Sequence, residues 1–235
     1  MRVRLMNGLC EGRRMRIPAR FNGPPGSGNG GWCAGAFAVA AGAAPDGATH
    51  QVTLRRPPPL EVDLTVRDDG VYADGELIAS LDAGAVNAGP GVEPVGWDTA
   101  VAASRDYPGF TGHPFPTCFV CGPDRAEGDG LRIFPGRLPD GRTAAPWTVP
   151  AEVDLPLLWA ALDCPGGWAA IREGRPYVLG RLAVAAVALP EPGARCVITG
   201  AVSELAGRKA LVDSAVHGPD GRRLAVARAT WIATV

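Results

Sequence analysis

The stretch GSGNGGWCAGAFAVAAG, Gly26 to Gly42, sets a glycine-rich loop directly against an apolar, alanine-rich segment. Asn29 is a helix N-cap residue type, because its short side chain can accept a backbone N–H of the first turn. Gly42 and Pro45 supply the stop. Between them Trp32, Phe37 and Val39 stand among alanines with no polar face, so a helix over about 29–43 is predicted to be buried all round. Glycines at a helix start let another group approach the leading N–H groups, which lack partners inside the helix. The plainer reading of Asn29-Gly30-Gly31 is a cap followed by glycines that let the helix lie close on a sheet.

The pattern returns in LPLLWAALDCPGGWAAI, Leu155 to Ile171, after a cap residue at Asp154. Pro165 and Gly166-Gly167 predict a kink or restart in this second helix. Strand patterns follow each helix. In the first set, alternation at Val52-Leu54, Val62-Leu64-Val66 and Leu77-Ala79-Leu81 is broken by Pro57 to Pro59 and by turns at Asp68-Asp69-Gly70 and Asp74-Gly75. The second set, from Tyr177 onward, breaks at Pro190 to Gly193, Ala206-Gly207 and Pro219 to Gly221. Both sets read as antiparallel meanders. Pro57 to Pro59 suits a bulge or an edge, since proline gives a ladder no N–H.

One plan is thus written twice: an extended lead-in, one buried helix, then three or four antiparallel strands. The fold class expected is α+β, with two modules at 1–96 and 97–235. Asn87 to Trp97 reads as the linker, and Asp98 to Tyr107 as a short helix after it.

The chain has 235 residues, 46% apolar, with a formal charge of -1. That balance gives no electrostatic footprint for nucleic acid or an anionic membrane. Lys209 is the only lysine among 23 basic residues, and no mechanism is read from it. No charged-then-apolar leader opens the sequence, and no apolar run approaches the length of about 18 residues that spans a bilayer. A soluble, cytoplasmic protein is expected. In that setting Cys10, Cys33, Cys118, Cys121, Cys164 and Cys196 read as reduced thiols, mostly small core residues.

Three stretches carry a family resemblance. PTCFVCGPDRAEGDGLRIFPG (116–136) resembles the lead-in strand of many thioesterase-like hotdog proteins, LWAALDCPGGWAA (158–170) their central helix, and GSGNGGWCAGAFA (26–38) the start of that helix in double-hotdog acyl-CoA thioesterases. The resemblance implies a tandem hotdog, each module one central helix wrapped by a bent antiparallel sheet. It also implies an acyl-CoA or related acyl thioester as small-molecule substrate, no separate cofactor, and modules of a kind that often form homo-oligomers by pairing their sheets.

Thioester hydrolysis needs donors for a developing oxyanion and a base or nucleophile that brings in water. The N–H groups near Gly30 and Gly31, behind Asn29, fit the first requirement. Asp163, the only acid between Leu155 and Ile171, fits the second. In the resembling single-module enzymes the acid falls nine residues after the residue preceding Gly-Gly. The first half carries Ala38 at that place, and nine residues before Asp163 stands Asp154 without a Gly-Gly. Each half keeps what the other lacks, which implies one composite site. Asp163 ahead of Cys164-Pro165 also reads as the N-cap of a restarted helix.

Trp32 and Trp168 are candidates for lining an acyl pocket, with core packing as the plainer role. Arg55 and Arg56 are candidates for the phosphates of coenzyme A. His113, Cys118 and Cys121 have metal-like spacing, but no second Cys-x-x-Cys or paired His follows, so packing is expected and no metal. Two rival functions remain. One is a non-catalytic acyl-CoA or lipid-binding module. The other, a hotdog hydratase, needs a paired acid and histidine that the sequence does not display.

Overall fold

In the computed structural model, residues 12–84, 86–171 and 175–234 are described; Cys10 lies outside them. Eleven strands and four α-helices follow in chain order. The first half holds β1 (Arg13–Arg16), α1 (Gly30–Ala40), β2 (Thr49–Leu54), β3 (Asp63–Arg67), β4 (Gly70–Ala73) and β5 (Glu76–Ala83). Then come α2 (Trp97–Arg105), α3 (Gly109–Gly112), β6 (Gly136–Arg137), β7 (Thr143–Thr148) and α4 (Leu155–Ala170). The chain closes with β8 (Tyr177–Ala186), β9 (Arg195–Ala206), β10 (Lys209–His217) and β11 (Arg223–Ala233).

The strands form one sheet in the order β1-β3-β4-β5-β2-β8-β11-β10-β9-β7-β6. At its centre β2 pairs antiparallel with β8, Val52 opposite Leu182. Read outward in either direction, the strand following a helix is flanked by the last strand of its half, then by the two between in reverse order. The halves are therefore not simple meanders, because β2 bonds to β5, and β8 to β11, rather than to the next strand in sequence. Hairpin turns fall where turn residues predict them: Asp74 (φ 48°) and Gly75 (φ 82°) both adopt the left-handed conformation that joins β4 to β5.

Asn29 caps α1, its side chain accepting from the Trp32 N–H at 2.8 Å, and Asp154 caps α4 through Leu157 N–H at 2.9 Å. The expected break in α4 is absent: the helix runs unbroken through Pro165. Gly166 and Gly167 mark close packing instead. A Cβ at 166 would lie 2.8 Å from Val212 Cγ2, and one at 167 would lie 2.4 Å from the Trp231 ring. Two hydroxyls of the sheet hold this part of the helix, Ser214 bonding the Leu162 carbonyl and Thr143 the Pro165 carbonyl. Burial on both sides offsets the roughly 3 kcal/mol that an interior proline costs a helix.

The stretch 116–136, expected as a lead-in strand, is instead a run of turns and extended chain up to the two-residue β6, and the six-residue strand beyond it is β7. The helices α1 and α4 pack against each other, α1 on β2 and β8, α4 on β9 and β10. One hydrophobic core runs through both, from Val71 and Phe37 in the first half to Trp159 and Ile198 in the second. Among the described residues no helix is long and apolar enough to cross a membrane.

Candidate active site

The helices meet along a seam of small residues. A Cβ on Gly31 would sit 2.5 Å from Asp163 Cβ, and one on Gly35 would sit 2.7 Å from Trp159 Cβ. Glycine is needed at both places because the backbones approach within side-chain distance. Close approach brings the N-terminus of α1 onto the middle of α4. There Asp163 Oδ2 accepts the Gly31 N–H at 3.0 Å and the Asn29 Nδ2–H at 3.1 Å. Asp163 therefore caps the other helix rather than a restart of its own.

Asp163 is 2% exposed, and its second oxygen, Oδ1, has no hydrogen-bond partner among the described residues. Burial pushes its pKa up to about 7, and the nearby Cys118 adds to the rise. The Gly31 N–H and the Asn29 amide oppose it by favouring the charged form.

A cavity of about 40 Å³ opens beside this carboxylate, lined by Asn29, Gly30, Cys118, Asp163, Trp168 and Leu179 among others. Trp231, whose indole N–H is buried without a partner among the described residues, also lines it. Space of this size exceeds the roughly 10–15 Å³ that a water needs. An outer pocket of about 270 Å³ shares Pro24, Gly30, Val178 and Leu179 with the inner cavity and carries Arg55 and Arg56 on its wall. Pro58 helps shape it, since its carbonyl accepts the Gly28 N–H at 2.8 Å and so ties the proline run to the loop before α1. Pro58 thus lies beside the site as an acceptor that needs no N–H of its own.

Asn29, Gly30, Gly31 and Asp163 thus converge, with Trp168 on the cavity wall and Arg55 and Arg56 at the outer pocket. The Gly31 N–H is already engaged by Asp163, which leaves the Gly30 N–H, the first of the helix, as the amide without an acceptor among the described residues. Trp32 points elsewhere: it stacks on Phe21 at 3.8 Å and lines a separate cleft. Sequence reasoning missed Leu179 and Trp231, which reach the cavity from β8 and β11 across the sheet, and it treated Cys164 apart from Cys118 and Cys121. All three sulfurs lie within 4.8 Å of one another.

No family model matches the sequence, and no curated protein matches it. Solved structures do. A protein of unknown function with a hot dog fold from Alicyclobacillus acidocaldarius superposes with a TM-score of 0.62 over 94% of this chain and 92% of its own, at 15% identity. The chain has a hotdog fold. A second hotdog-like match, a proposed thioesterase from Novosphingobium aromaticivorans DSM 12444, gives a TM-score of 0.64 over 94% of this chain and 95% of that one, at 16% identity. Asp163 thus lies on α4 of the second half, and α1 of the first half offers its N-terminus to it.

Proposed function

We propose that this is a tandem hotdog thioesterase, with modules at 1–96 and 97–235 that share one reaction centre. What carries the reading is the direct contact, 3.0 Å, between the Asp163 carboxylate of one half and the helix N-terminus of the other, beside a cavity that shares four lining residues with a pocket carrying two arginines. The near-complete overlap with a protein described as a proposed thioesterase supports it.

The substrate is an acyl-CoA or a similar acyl thioester. Its thiol arm lies in the outer pocket with the phosphates toward Arg55 and Arg56, and its carbonyl oxygen accepts the Gly30 N–H. A water in the inner cavity attacks the carbonyl carbon as Asp163 Oδ1 takes its proton. The tetrahedral oxyanion is held by the Gly30 N–H and the positive end of α1. The carbon–sulfur bond then breaks, the thiolate recovers the proton from Asp163, and a carboxylic acid and a free thiol leave. Asn29 and Gly31 act as positioning groups that hold Oδ2 and leave Oδ1 directed to the water.

Asp163→Asn tests this assignment, because an amide oxygen can still accept from Gly31 and Asn29 while the base is gone. Thiol release should fall by roughly 10²-fold or more, with acyl-CoA binding measured by calorimetry unchanged. Undiminished turnover would sink the role of Asp163. The second reading, a binding module without turnover, draws on the engagement of the Gly31 N–H by Asp163. Binding of acyl-CoA by the native chain with no thiol released over hours would establish it.

A further inference from the structure

We propose that Cys118, Cys121 and Cys164 form a binding site for a zinc-class metal ion, with three thiolate ligands and a fourth position open to the cavity beside Asp163. The proposal is independent of the thioesterase reading.

Two of the sulfurs come from the loop Cys118-Phe119-Val120-Cys121-Gly122 and the third from the middle of α4. All three cysteines are buried, and Cys121 Sγ lies 3.1 Å from Cys164 Sγ. Zinc–sulfur bonds of about 2.3 Å in a tetrahedron place sulfurs roughly 3.8 Å apart, so the spread seen here needs only small rotamer shifts to close on an ion. The loop is bent as a chelating turn: the Gly122 N–H bonds the Cys118 carbonyl at 2.9 Å. A Cβ on Gly122 would fall 2.5 Å from Cys118 N, so only glycine closes it.

Polar groups surround the sulfurs. Backbone N–H groups of Val120 and Cys121 are directed at the Cys118 sulfur. Asn29 Nδ2 stands 3.7 Å from the same sulfur. His113 Nδ1 accepts the Phe115 N–H at 2.8 Å, which assigns the ring proton to Nε2, 3.2 Å from Cys121 Sγ. His113 is therefore a donor to a sulfur and not a fourth ligand. Donors supporting metal-bound atoms in this way are a regular part of such sites. Three protein ligands with the fourth place facing a cavity of water size is the arrangement in which a bound ion keeps a water. A soft ion of zinc type matches three sulfurs; magnesium and calcium do not.

The test uses the full chain, purified, stripped of metal by chelator and kept reduced. Titration with Co2+ should give a sulfur-to-cobalt charge-transfer band that saturates at one equivalent and is bleached by Zn2+. C121S and C164S should each lose the band and weaken Zn2+ binding by about 100-fold or more in chelator competition, while C196A, a buried cysteine elsewhere, should leave both unchanged. Should a serine variant fail to fold, protection of three thiols from alkylation by Zn2+ in the native chain gives the same answer. Absence of the band and of thiol protection in the native chain would overturn the site. So would a Cys121–Cys164 disulfide found by mass spectrometry in native protein purified without added reductant.

Discussion

Asp163 carries two oxygens with opposite circumstances. Oδ2 is held by two N–H donors, while Oδ1 is buried with no partner among the described residues, in a residue that lines the small cavity. An unpartnered buried carboxylate oxygen is costly to a fold, and such a cost is retained where the group has work to do. Arg55 and Arg56 are the exposed counterpart, with Arg55 Nε on Ser80 Oγ at 2.8 Å and Arg56 3.4 Å from Glu76. Exposed arginines contribute little to stability. The double variant Arg55→Ala, Arg56→Ala should therefore fold normally and raise KM for a CoA thioester several-fold with kcat nearly unchanged. The native KM should rise with ionic strength and the variant's should not. An unchanged KM at low salt would remove both residues from the binding surface. Asn29 and Asp163 were legible because a cap residue before glycines and a lone acid in an apolar helix are unusual choices. Trp32 takes the plainer of its two expected roles, packing in the core, where its ring stacks on Phe21, 11 residues earlier at the end of a 3-10 helix.

The element that decides the site is the pair α1 and α4. Their separation is set by Gly31 and Gly35, where a methyl group would overlap Asp163 and Trp159. Gly35→Ala, one turn beyond Gly31 and outside the cavity lining, should cost about 1–3 kcal/mol in denaturant unfolding as the helices are forced apart. Turnover should fall as well, since Gly31 and Asp163 must stay in contact. Gly112→Ala, where a Cβ would meet nothing, serves as the control. Equal stability of the two variants would show that the seam can yield. Pro165 and its glycines looked like a break because local propensity disfavours them in a helix. The sheet reverses that preference by packing Val212 and Trp231 into the space where side chains would stand.

At the scale of the molecule, one core and one sheet join the halves through the β2–β8 pair. The proposed site draws on both halves, since its Asn29 and Asp163 stand 134 residues apart. Chains ending at 96 or beginning at 97 should each lack a cooperative thermal transition, because each exposes its share of the helix seam and an unpaired central strand. Co-expression of the two should restore both a cooperative transition and thioester hydrolysis. A stable, cooperatively unfolding half made alone would show that the modules do not depend on each other.

By itself the sequence determined the two caps, the two buried helices, the hairpin turns and the repetition of one plan. Those depend on forces acting within a few residues: a side chain reaching the next turn, a left-handed turn residue, the period of apolar positions. Only the tertiary structure decided that β2 would pair with β8, that α4 would run through its proline, that the Gly31 N–H would be held by Asp163, and that a third sulfur would join Cys118 and Cys121. Each of those is a contact between segments far apart in the chain, fixed by which surfaces fit when the whole core closes, and nothing within one segment specifies its distant partner.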